Sequence, residues 1–357
     1  MRVGLVIYGS LDTVSGGYLY DRQLVSALRK AGDHVDIISL PARAYALSLA
    51  DNWSGEWRRR MDHGYDILLQ DELNHPSLAW ANGRLGRDRP PIVAIVHHLR
   101  GSETRPAWQN RLYRWWERRY LNSVDAFICN SYTTQQAVER ELDGPRPSIV
   151  AYPGGDRLSR LMAAEHWKSH SDDEPLRLLF VGNLIPRKGL HVLLEALAQV
   201  SGDWRLRIVG NPAVDPAYVR RLRETALRLE WVERVTWCGL LEDQALAAEM
   251  AAADVLAMPS EYEGFGIVYL EGMGFGLPAL AATAGAAGEI ISDGANGFLA
   301  VPGDVMALAG YIEALAAERG LLAQMREAAL ARYESFPSWA ATTTAIRQFL
   351  LGIAHPQ

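Results

Sequence analysis

The chain has 357 residues, of which 49% are hydrophobic and 22% charged, so it is long enough for two domains with their own cores and too apolar to be disordered. Its two cysteines, Cys129 and Cys238, are far apart in the sequence, which excludes a disulfide framework and a cysteine-built zinc site. The formal net charge of −6 excludes nucleic acid as a general partner, and its distribution favours two domains: residues 1–160 contain 21 Lys and Arg against 18 Asp and Glu, whereas residues 161–357 contain 15 against 24.

The amino-terminal residues predict a strand rather than a targeting segment. The apolar run Met1–Tyr8 is too short for a signal peptide and leads into a glycine-rich stretch. The sequence also lacks a run of about 18 uncharged apolar residues, the pattern that predicts a membrane-spanning helix. We therefore expect a cytoplasmic protein.

Short apolar runs alternate with helical patterns in the first half of the chain. The predicted strands are Val3–Tyr8, Val35–Ser39, Asp66–Gln70, Ile92–Val96, Asp125–Cys129 and Ser148–Ala151. Helical patterns lie between several of them, for example Tyr18–Ala31 and Thr133–Leu142. This alternation predicts an α/β domain with a doubly wound, Rossmann-like parallel sheet.

The same alternation starts again after a polar stretch closed by proline, Lys168–Pro175, which we interpret as a linker. The second set of predicted strands is Arg177–Val181, Arg205–Val209, Arg234–Trp237, Asp254–Met258 and Ala279–Ala282. The predicted helices between and after them are Leu190–Val200, Pro216–Leu229, Asp243–Ala252 and Tyr269–Gly276. We therefore expect two Rossmann-like domains, at residues 1–168 and 169–335.

The last part of the chain is helical in pattern over Pro302–Tyr333 and again over Ala340–Ile353, with Pro337 between them. Proline disfavours helical backbone at the residue before it, so the last helix can change direction there. We expect residues 336–357 to cross back to the first domain.

Two glycine-containing loops after predicted strands suit a phosphate ligand. Gly16 and Gly17 precede a helix, where backbone amides and the helix dipole favour an anion, although an ordinary tight turn is the preferred interpretation of this loop by itself. In the second loop, Gly182–Leu190, Arg187 and Lys188 precede a helix opened by glycine. Fixed positive charge there suits a diphosphate, and the alternative is a solvated surface pair.

A third segment carries two carboxylates, Glu263 and Glu271, separated by glycines and an apolar run that we expect to start a helix. Paired carboxylates can accept strong hydrogen bonds from the vicinal hydroxyls of a sugar or a ribose. The alternative is that both residues lie near the amino end of the helix and only stabilise its dipole.

His97 and His98 end the predicted strand Ile92–Val96, a position that often lines a site in α/β folds. A structural imidazole bonded to a loop carbonyl is a close alternative for either residue. The sequence shows neither a nucleophile–histidine–acid grouping nor an Asp-x-Asp pair, so we expect no metal ion and no cofactor.

Taken together, these residues resemble the GT-B glycosyltransferases of the large retaining group often called family 4, and the resemblance covers nearly the whole chain. The family motifs are matched in order by Gly16, Gly17, Leu24, Leu28, Gly32, His34, Val35, Gly182, Leu184, Lys188, Gly189, Glu263, Glu271, Glu289, Ile290, Ile291, Gly294, Gly297, Ser338 and Trp339. Each match is weak by itself, whereas their order and spacing together are highly specific.

The chain departs from the family pattern at a few positions. Asn183 stands where an arginine is common, and Arg187 is our candidate to replace it. Gly272 and Gly274 replace alanines that often follow the second glutamate, and Pro153 is followed by Gly-Gly rather than Asn-Gly. These departures leave the chemical groups in place, but they prevent the donor sugar from being inferred from the family.

The resemblance implies a GT-B architecture, with two Rossmann-like domains facing a central cleft. It also implies a retaining transfer of a sugar from a UDP- or GDP-sugar by front-face substitution. The implied catalytic residues are His97, Glu263, Lys188 and Arg187. The implied donor-binding residues are Gly16, Gly17, Asn183, Arg187, Lys188, Glu263, Gly264, Phe265, Gly266 and Glu271.

Three alternatives stay open: a sugar-nucleotide epimerase, a glycosyl phosphorylase, and a non-catalytic nucleotide-sugar-binding subunit. The acceptor, whether a sugar, a lipid-linked molecule or another small molecule, is not identified. Two segments rich in Arg and Trp, 52–60 and 100–120, suit an anionic acceptor or an anionic membrane on the inner face. The simpler interpretation, which we favour here, places their tryptophans in the core and their arginines in solvent.

Overall fold

A computed structural model describes residues 1–62, 64–86, 88–103, 105–161 and 174–355. It divides the chain into two compact units. The first unit comprises Met1–Pro153 and Trp339–Gln357, and the second comprises Gly154–Ser338. The predicted domain boundary between residues 168 and 169 lies outside the described residues.

The first unit contains a six-stranded parallel sheet with the order β2-β1-β3-β4-β5-β6. Its strands are β1 (Arg2–Tyr8), β2 (His34–Leu40), β3 (Ile67–Asp71), β4 (Ile92–Val96), β5 (Ala126–Cys129) and β6 (Ser148–Val150). Its helices are α1 (Gly16–Lys30), α2 (Tyr45–Ser48), α3 (Gly55–Met61), α4 (His75–Leu78), α5 (Ala107–Leu121) and α6 (Tyr132–Glu139), and the carboxyl-terminal helix, Trp339–Ala354, joins them. Every residue of β3, β4 and β5 is buried, as expected for strands covered on both faces.

The second unit contains another six-stranded parallel sheet, with the order β12-β11-β10-β7-β8-β9. Its strands are β7 (Leu176–Val181), β8 (Trp204–Val209), β9 (Val235–Gly239), β10 (Val255–Ala257), β11 (Ala279–Ala282) and β12 (Gly297–Ala300). Its helices are α7 (Asp156–Ser159), α8 (Leu190–Leu197), α9 (Pro216–Arg228), α10 (Asp243–Ala252), α11 (Ile267–Met273), α12 (Ala287–Ile290), α13 (Val305–Ala317) and α14 (Arg319–Glu334). The two doubly wound sheets confirm the predicted fold class.

One strand of the second sheet, β12, was not predicted. It is four residues long and opens with Gly297, whose added Cβ atom would lie 2.2 Å from the carbonyl oxygen of Ala279. Only glycine permits this close approach to β11, and glycine weakens the apolar pattern by which a strand is recognised.

The carboxyl-terminal helix, α15 (Trp339–Ala354), packs against α1 in the first unit. Arg347 on α15 donates a 2.6 Å hydrogen bond to Asp33, which also accepts a 2.8 Å bond from the amino terminus of Met1. This confirms the prediction that the last helix returns to the first domain. Where the chain passes from the first unit to the second, α7 packs against α10 and α11, so the second unit begins at Gly154.

Candidate active site

The basic loop of the second unit follows β7 at the carboxyl edge of the sheet. It contains one turn of 3-10 helix, Pro186–Lys188, and Gly189 then opens α8 with φ +73°. A Cβ atom on Gly189 would lie 2.1 Å from the carbonyl oxygen of Pro259, so both the backbone angle and the space require glycine. The backbone therefore turns sharply directly after Lys188, at the edge of the sheet.

Lys188 forms an ion pair with Glu263, and both side chains are largely buried. The neighbouring Arg187 donates a 2.7 Å hydrogen bond to the carbonyl oxygen of Tyr262. Burial alone would raise the pKa of Glu263, but the charges of Lys188 and Arg187 outweigh it and lower that pKa below its usual value. Glu263 is therefore held as a carboxylate beside two cations.

The loop that carries Glu263 is fixed on both sides. A Cβ atom on Gly285 would lie 2.0 Å from the carbonyl oxygen of Glu263, and that oxygen accepts a 2.9 Å hydrogen bond from the amide of Ala286. Gly266 has φ +93° and precedes α11, as a tight loop-to-helix turn requires. The Phe265 ring is buried and packs edge-on against Phe336, so it anchors the loop in the core.

Glu271 lies in the second half of α11, not at its start as the sequence predicted, because the helix already begins at Ile267. Its carboxylate is buried and lies 2.7 Å from the Nε atom of Arg157, which also pairs with Asp243. Burial raises the pKa of Glu271, and Arg157 opposes this rise. Helix-dipole stabilisation at an amino end is therefore excluded as the role of Glu271.

In the first unit, His97 directly follows β4 and lies against the start of α1. A Cβ atom on Gly17 would lie 3.0 Å from Cδ2 of His97, and the Tyr20 ring packs edge-on against the imidazole. Nε2 of His97 lies 3.5 Å from the buried carboxylate of Asp21. Burial lowers the pKa of His97, but the negative charge of Asp21 outweighs it and the net effect is a raised pKa.

Gly16 and Gly17 belong to α1 itself, because the helix begins at Gly16 and not at Tyr18 as predicted. The side chain of Ser15 caps the helix by accepting a 3.2 Å hydrogen bond from the amide of Tyr18. Gly16 and Gly17 thus occupy the first turn, where amides point away from the helix towards its amino end. His98, the alternative histidine, instead lies 3.0 Å from Glu103.

Two groups of buried side chains in the first unit bring their oxygen and imidazole atoms within 4.8 Å of one another. In the group of Glu72, His75 and Glu117, Nδ1 of His75 lies 2.9 Å from Glu72, and its Nε2 lies 2.9 Å from the hydroxyl of Tyr45. Glu117 accepts a 3.1 Å hydrogen bond from the amide of Gly101. His75 and Glu117 are therefore hydrogen-bonded within the protein, whereas no hydrogen bond among the described residues reaches Oε1 of Glu72.

The other group consists of Asp21, Asp71 and His97. Among the described residues, no hydrogen bond reaches the carboxylate of Asp21, Oδ2 of Asp71 or Nε2 of His97. Burial and the charge of Asp21 both raise the pKa of Asp71. Such atoms suit either a shared proton or a divalent cation.

Comparison with known proteins decides the family. Residues 16–157 match the family model described as Glycosyltransferase Family 4, and residues 162–332 match the one described as Glycosyl transferases group 1. A phosphatidyl-myo-inositol mannosyltransferase from Mycobacterium leprae is 30% identical over 88% of this chain and 87% of its own length. The chain belongs to this glycosyltransferase family.

Other members of the family and solved structures agree with this assignment. A D-inositol 3-phosphate glycosyltransferase from Geodermatophilus obscurus is 28% identical over 78% of this chain and 68% of its own length. The structure of sucrose-phosphate synthase from Thermosynechococcus elongatus superposes with a TM-score of 0.84 at 22% identity, over 99% of this chain and 98% of that one. HepE from Anabaena, in complex with UDP and glucose, superposes with a TM-score of 0.78 at 22% identity, over 99% of this chain and 100% of that one. These structures share the GT-B fold with the present glycosyltransferase.

The structure groups the predicted residues of this glycosyltransferase by unit. The second unit brings Lys188, Arg187 and Glu263 together, and it places Glu271 with Arg157. Gly264 is half-buried beside Glu263, and Asn183 is half-buried in the loop that carries Lys188. The first unit brings Gly17 and His97 together at the start of α1.

Sequence reasoning missed three residues of these groups: Arg157, Asp21 and Asp71. Each contacts its partner across a long sequence separation, and each lies in a segment whose pattern indicates only a helix or a strand end. Asp71 could have been found from its position. It is the last residue of the strand Ile67–Asp71, whose other side chains are apolar or carry an amide.

Proposed function

We propose that this protein is a retaining glycosyltransferase that moves a hexosyl group from a UDP- or GDP-sugar to a hydroxyl of an acceptor without a metal ion. One observation carries the proposal. Lys188 and Arg187 lie at the carboxyl edge of the second sheet beside the ionised, buried Glu263. Cations and a sugar-binding carboxylate at one edge are what a nucleoside diphosphate sugar requires.

In this proposal, the second unit binds the donor. Lys188 and Arg187 bind the diphosphate, and the half-buried Asn183 lies in the same loop. Glu263 accepts hydrogen bonds from hydroxyls of the transferred sugar, while the Gly264–Gly266 backbone lets the sugar approach. Glu271 accepts hydrogen bonds from the ribose hydroxyls, and Arg157 opposes the rise in its pKa that burial causes.

The first unit supplies His97 to the transferred sugar and the amides of the α1 amino terminus, at Gly16 and Gly17, to the distal phosphate. Asp21 acts through His97 as a positioning residue. Its buried carboxylate lies on the Nε2 side of the ring and favours the protonated imidazole.

The reaction breaks the bond between the anomeric carbon and the phosphate oxygen and forms the new glycosidic bond on the same face of the sugar. The electron pair of the broken bond stays on the nucleoside diphosphate. Lys188 and Arg187 stabilise that charge, a role that a metal ion has in other enzymes. The departing phosphate oxygen takes the proton of the acceptor hydroxyl, so no separate base is required.

Neighbouring structures support a nucleotide donor. HepE, which shares the fold, has been solved with UDP-glucose. The choice between UDP and GDP is open to experiment, because the residues of this chain that would contact the base are not assigned.

A donor screen in the presence of EDTA tests the proposal. The purified protein is incubated with UDP- and GDP-sugars, nucleotide release is measured, and the best donor is then combined with candidate acceptors. We expect nucleotide release that chelation does not change, and a product whose anomeric configuration by NMR equals that of the donor. Inversion would contradict the retaining assignment, and a changed sugar without release would indicate an epimerase. Loss of activity with EDTA, restored by Mg²⁺ or Mn²⁺, would instead identify Asp21, Asp71 and His97 as ligands to test.

A further inference from the structure

Helix α5 presents large apolar side chains to solvent on one face. Trp108 is 68% exposed, Leu112 is 50% exposed and Trp115 is 53% exposed. Their spacing of four and three residues places them in one row along the helix. The opposite face is buried through Glu117, Tyr120 and Leu121. The expectation that these tryptophans lie in the core is therefore wrong for Trp108 and Trp115.

The apolar row continues onto neighbouring segments of the first unit. Trp115 lies 5.9 Å from Trp80 between ring centroids, and Trp80 lies 5.7 Å from Trp53. Trp53 is itself 59% exposed. We call Trp53, Trp108, Leu112 and Trp115 the tryptophan face. It joins the two segments, 52–60 and 100–120, that share an Arg- and Trp-rich composition.

Arginines border this face along its length. Arg111, Arg114 and Arg118 are exposed and form the adjacent strip of α5. Arg119 lies over the Trp80 ring at 4.7 Å, and Arg84 lies over the Trp53 ring at 5.4 Å.

The acids near this strip are few. Glu117, which is the acid of α5, is buried and accepts hydrogen bonds from the amides of Arg100 and Gly101. Asp143 pairs with Arg118 at 2.6 Å and offsets part of its charge. A net positive strip remains beside the tryptophan face.

We propose that the tryptophan face and its arginine strip bind the surface of an anionic lipid bilayer. Tryptophan rings are amphipathic and favour the boundary between headgroups and acyl chains, while arginines reach the lipid phosphates beside them. A helix whose apolar row lies next to a cationic row can lie flat in that boundary without crossing the bilayer. None of the residues of this surface is among those assigned to donor binding.

Charge argues against a second copy of the chain as the occupant. Self-association through the same face would place one arginine strip near another, and like charges at an interface oppose association. An acidic bilayer supplies opposite charge over an area wide enough to meet the whole strip.

Vesicle flotation tests this proposal. The protein is mixed with vesicles of phosphatidylcholine alone or of phosphatidylcholine and phosphatidylglycerol in equal amounts. We expect binding to the anionic vesicles, weakened by high salt, and little binding to the neutral ones. Fluorescence quenching by brominated lipid chains should show that tryptophan enters the bilayer.

Two variants separate the apolar and charged contributions. The triple variant Arg111→Gln, Arg114→Gln, Arg118→Gln should lower the partition coefficient by on the order of 100-fold, since each basic residue near an anionic surface contributes about fivefold. The variant Trp108→Ser, Leu112→Ser, Trp115→Ser should reduce quenching to the contribution of Trp53 and lower binding by at least about tenfold.

A control variant tests for nonspecific apolar adhesion. Leu227→Ser with Val232→Ser removes two exposed apolar side chains of the second unit and should bind vesicles like the parent protein. Equal binding to neutral and anionic vesicles, unchanged binding of the folded α5 variants, or no binding at all would each overturn the proposal. So would a dimer in sedimentation velocity that both α5 variants dissociate, because the face would then belong to a second copy. Nucleotide release by the parent protein in solution is measured alongside. If the parent protein releases no nucleotide, that result counts against the proposed reaction and not against membrane binding.

Discussion

At the carboxyl edge of the second sheet, Glu263 and Glu271 each lie against a basic side chain, Lys188 and Arg157. At the same edge of the first sheet, Asp21 and Asp71 are equally buried, but their nearest ionisable partner is a single imidazole, His97. The pKa of Glu263 is consequently lowered and that of Glu271 is still raised by burial, whereas the pKa of Asp71 is raised both by burial and by the charge of Asp21.

This difference gives the two edges opposite preferences. Lys188 and Arg187 favour the ionised form of Glu263 and offer positive charge to negative phosphates. In the first edge, the raised pKa values of Asp71 and His97 favour their protonated forms. Asp71 and His97 should therefore contribute less stability as the pH rises, and the pair of Lys188 and Glu263 should contribute less as the pH falls. The following changes are ways to break this contrast.

Replacing Lys188 by Met should have the largest effect. It leaves Glu263 as a buried carboxylate without its nearest cation, and breaking a buried ion pair costs about 3–5 kcal/mol. We expect a lower thermal unfolding temperature and no measurable sugar transfer. The double variant Lys188→Met, Glu263→Gln should regain most of the stability but not the activity. If the double variant also regained transfer, Lys188 would only have a structural role.

The two glutamates of the second edge should separate binding from turnover. Glu271→Gln removes a charge-assisted acceptor for the ribose and should weaken nucleoside diphosphate binding by about 1.5–3 kcal/mol. Glu263→Gln should bind free nucleotide almost normally and transfer sugar poorly, because its contact to the sugar strengthens as charge develops on the ring. Calorimetric titration beside initial rates distinguishes them. A reversed outcome would exchange the two roles, and a parallel loss of stability and activity would make both residues structural.

Asp71→Asn should remove a pH-dependent cost from the first edge. A carboxyl whose pKa is higher in the folded state than in the unfolded state contributes progressively less stability as the pH rises from the unfolded-state pKa to the folded-state pKa. The variant should therefore be more stable than the parent at about pH 8, by roughly 1.4 kcal/mol for each pH unit between the two pKa values, and should gain little at about pH 4. Denaturant unfolding at both pH values measures this, with the exposed Asp143→Asn as the control. A variant with an unchanged pH dependence would show that Asp71 is ionised at no cost.

Asp21→Asn should give the smallest change, a shift in the pH profile of transfer. Without the Asp21 charge, burial lowers the pKa of His97, so the protonated ring is lost at a lower pH. The alkaline decline in turnover should move to a lower pH, with the Michaelis constant for the donor nearly unchanged. NMR titration of His97 provides the independent reading. A uniform loss of activity at every pH would indicate that Asp21 supports folding rather than the charge of His97.

Sequence alone predicted most of the fold because its signals are local. Eleven of the twelve strands that the structure describes have apolar runs of their own. The glycine at position 189 could be expected because the backbone must turn sharply between a strand and a helix. The glutamate and lysine of the second edge were found through motif order. Arg157 and Asp21 were not found, because a contact between two distant segments cannot be recognised from the sequence of either segment. Likewise, the helical pattern of α5 predicts a helix, but whether Trp108 faces the core or solvent depends on what the rest of the chain packs against it.

The central claim, that Lys188 and its neighbours bind a nucleoside diphosphate, is tested most directly by titrating UDP and GDP calorimetrically. The comparison uses the parent protein, the double variant Lys188→Met, Glu263→Gln, and a matched control in which a partly exposed ion pair of the same unit is neutralised, Arg207→Met with Glu249→Gln. We predict that one of the two nucleotides binds the parent and the control equally, and binds the Lys188 double variant at least about tenfold more weakly. Equal affinity in all three proteins, or no nucleotide binding by the folded parent, would contradict the account.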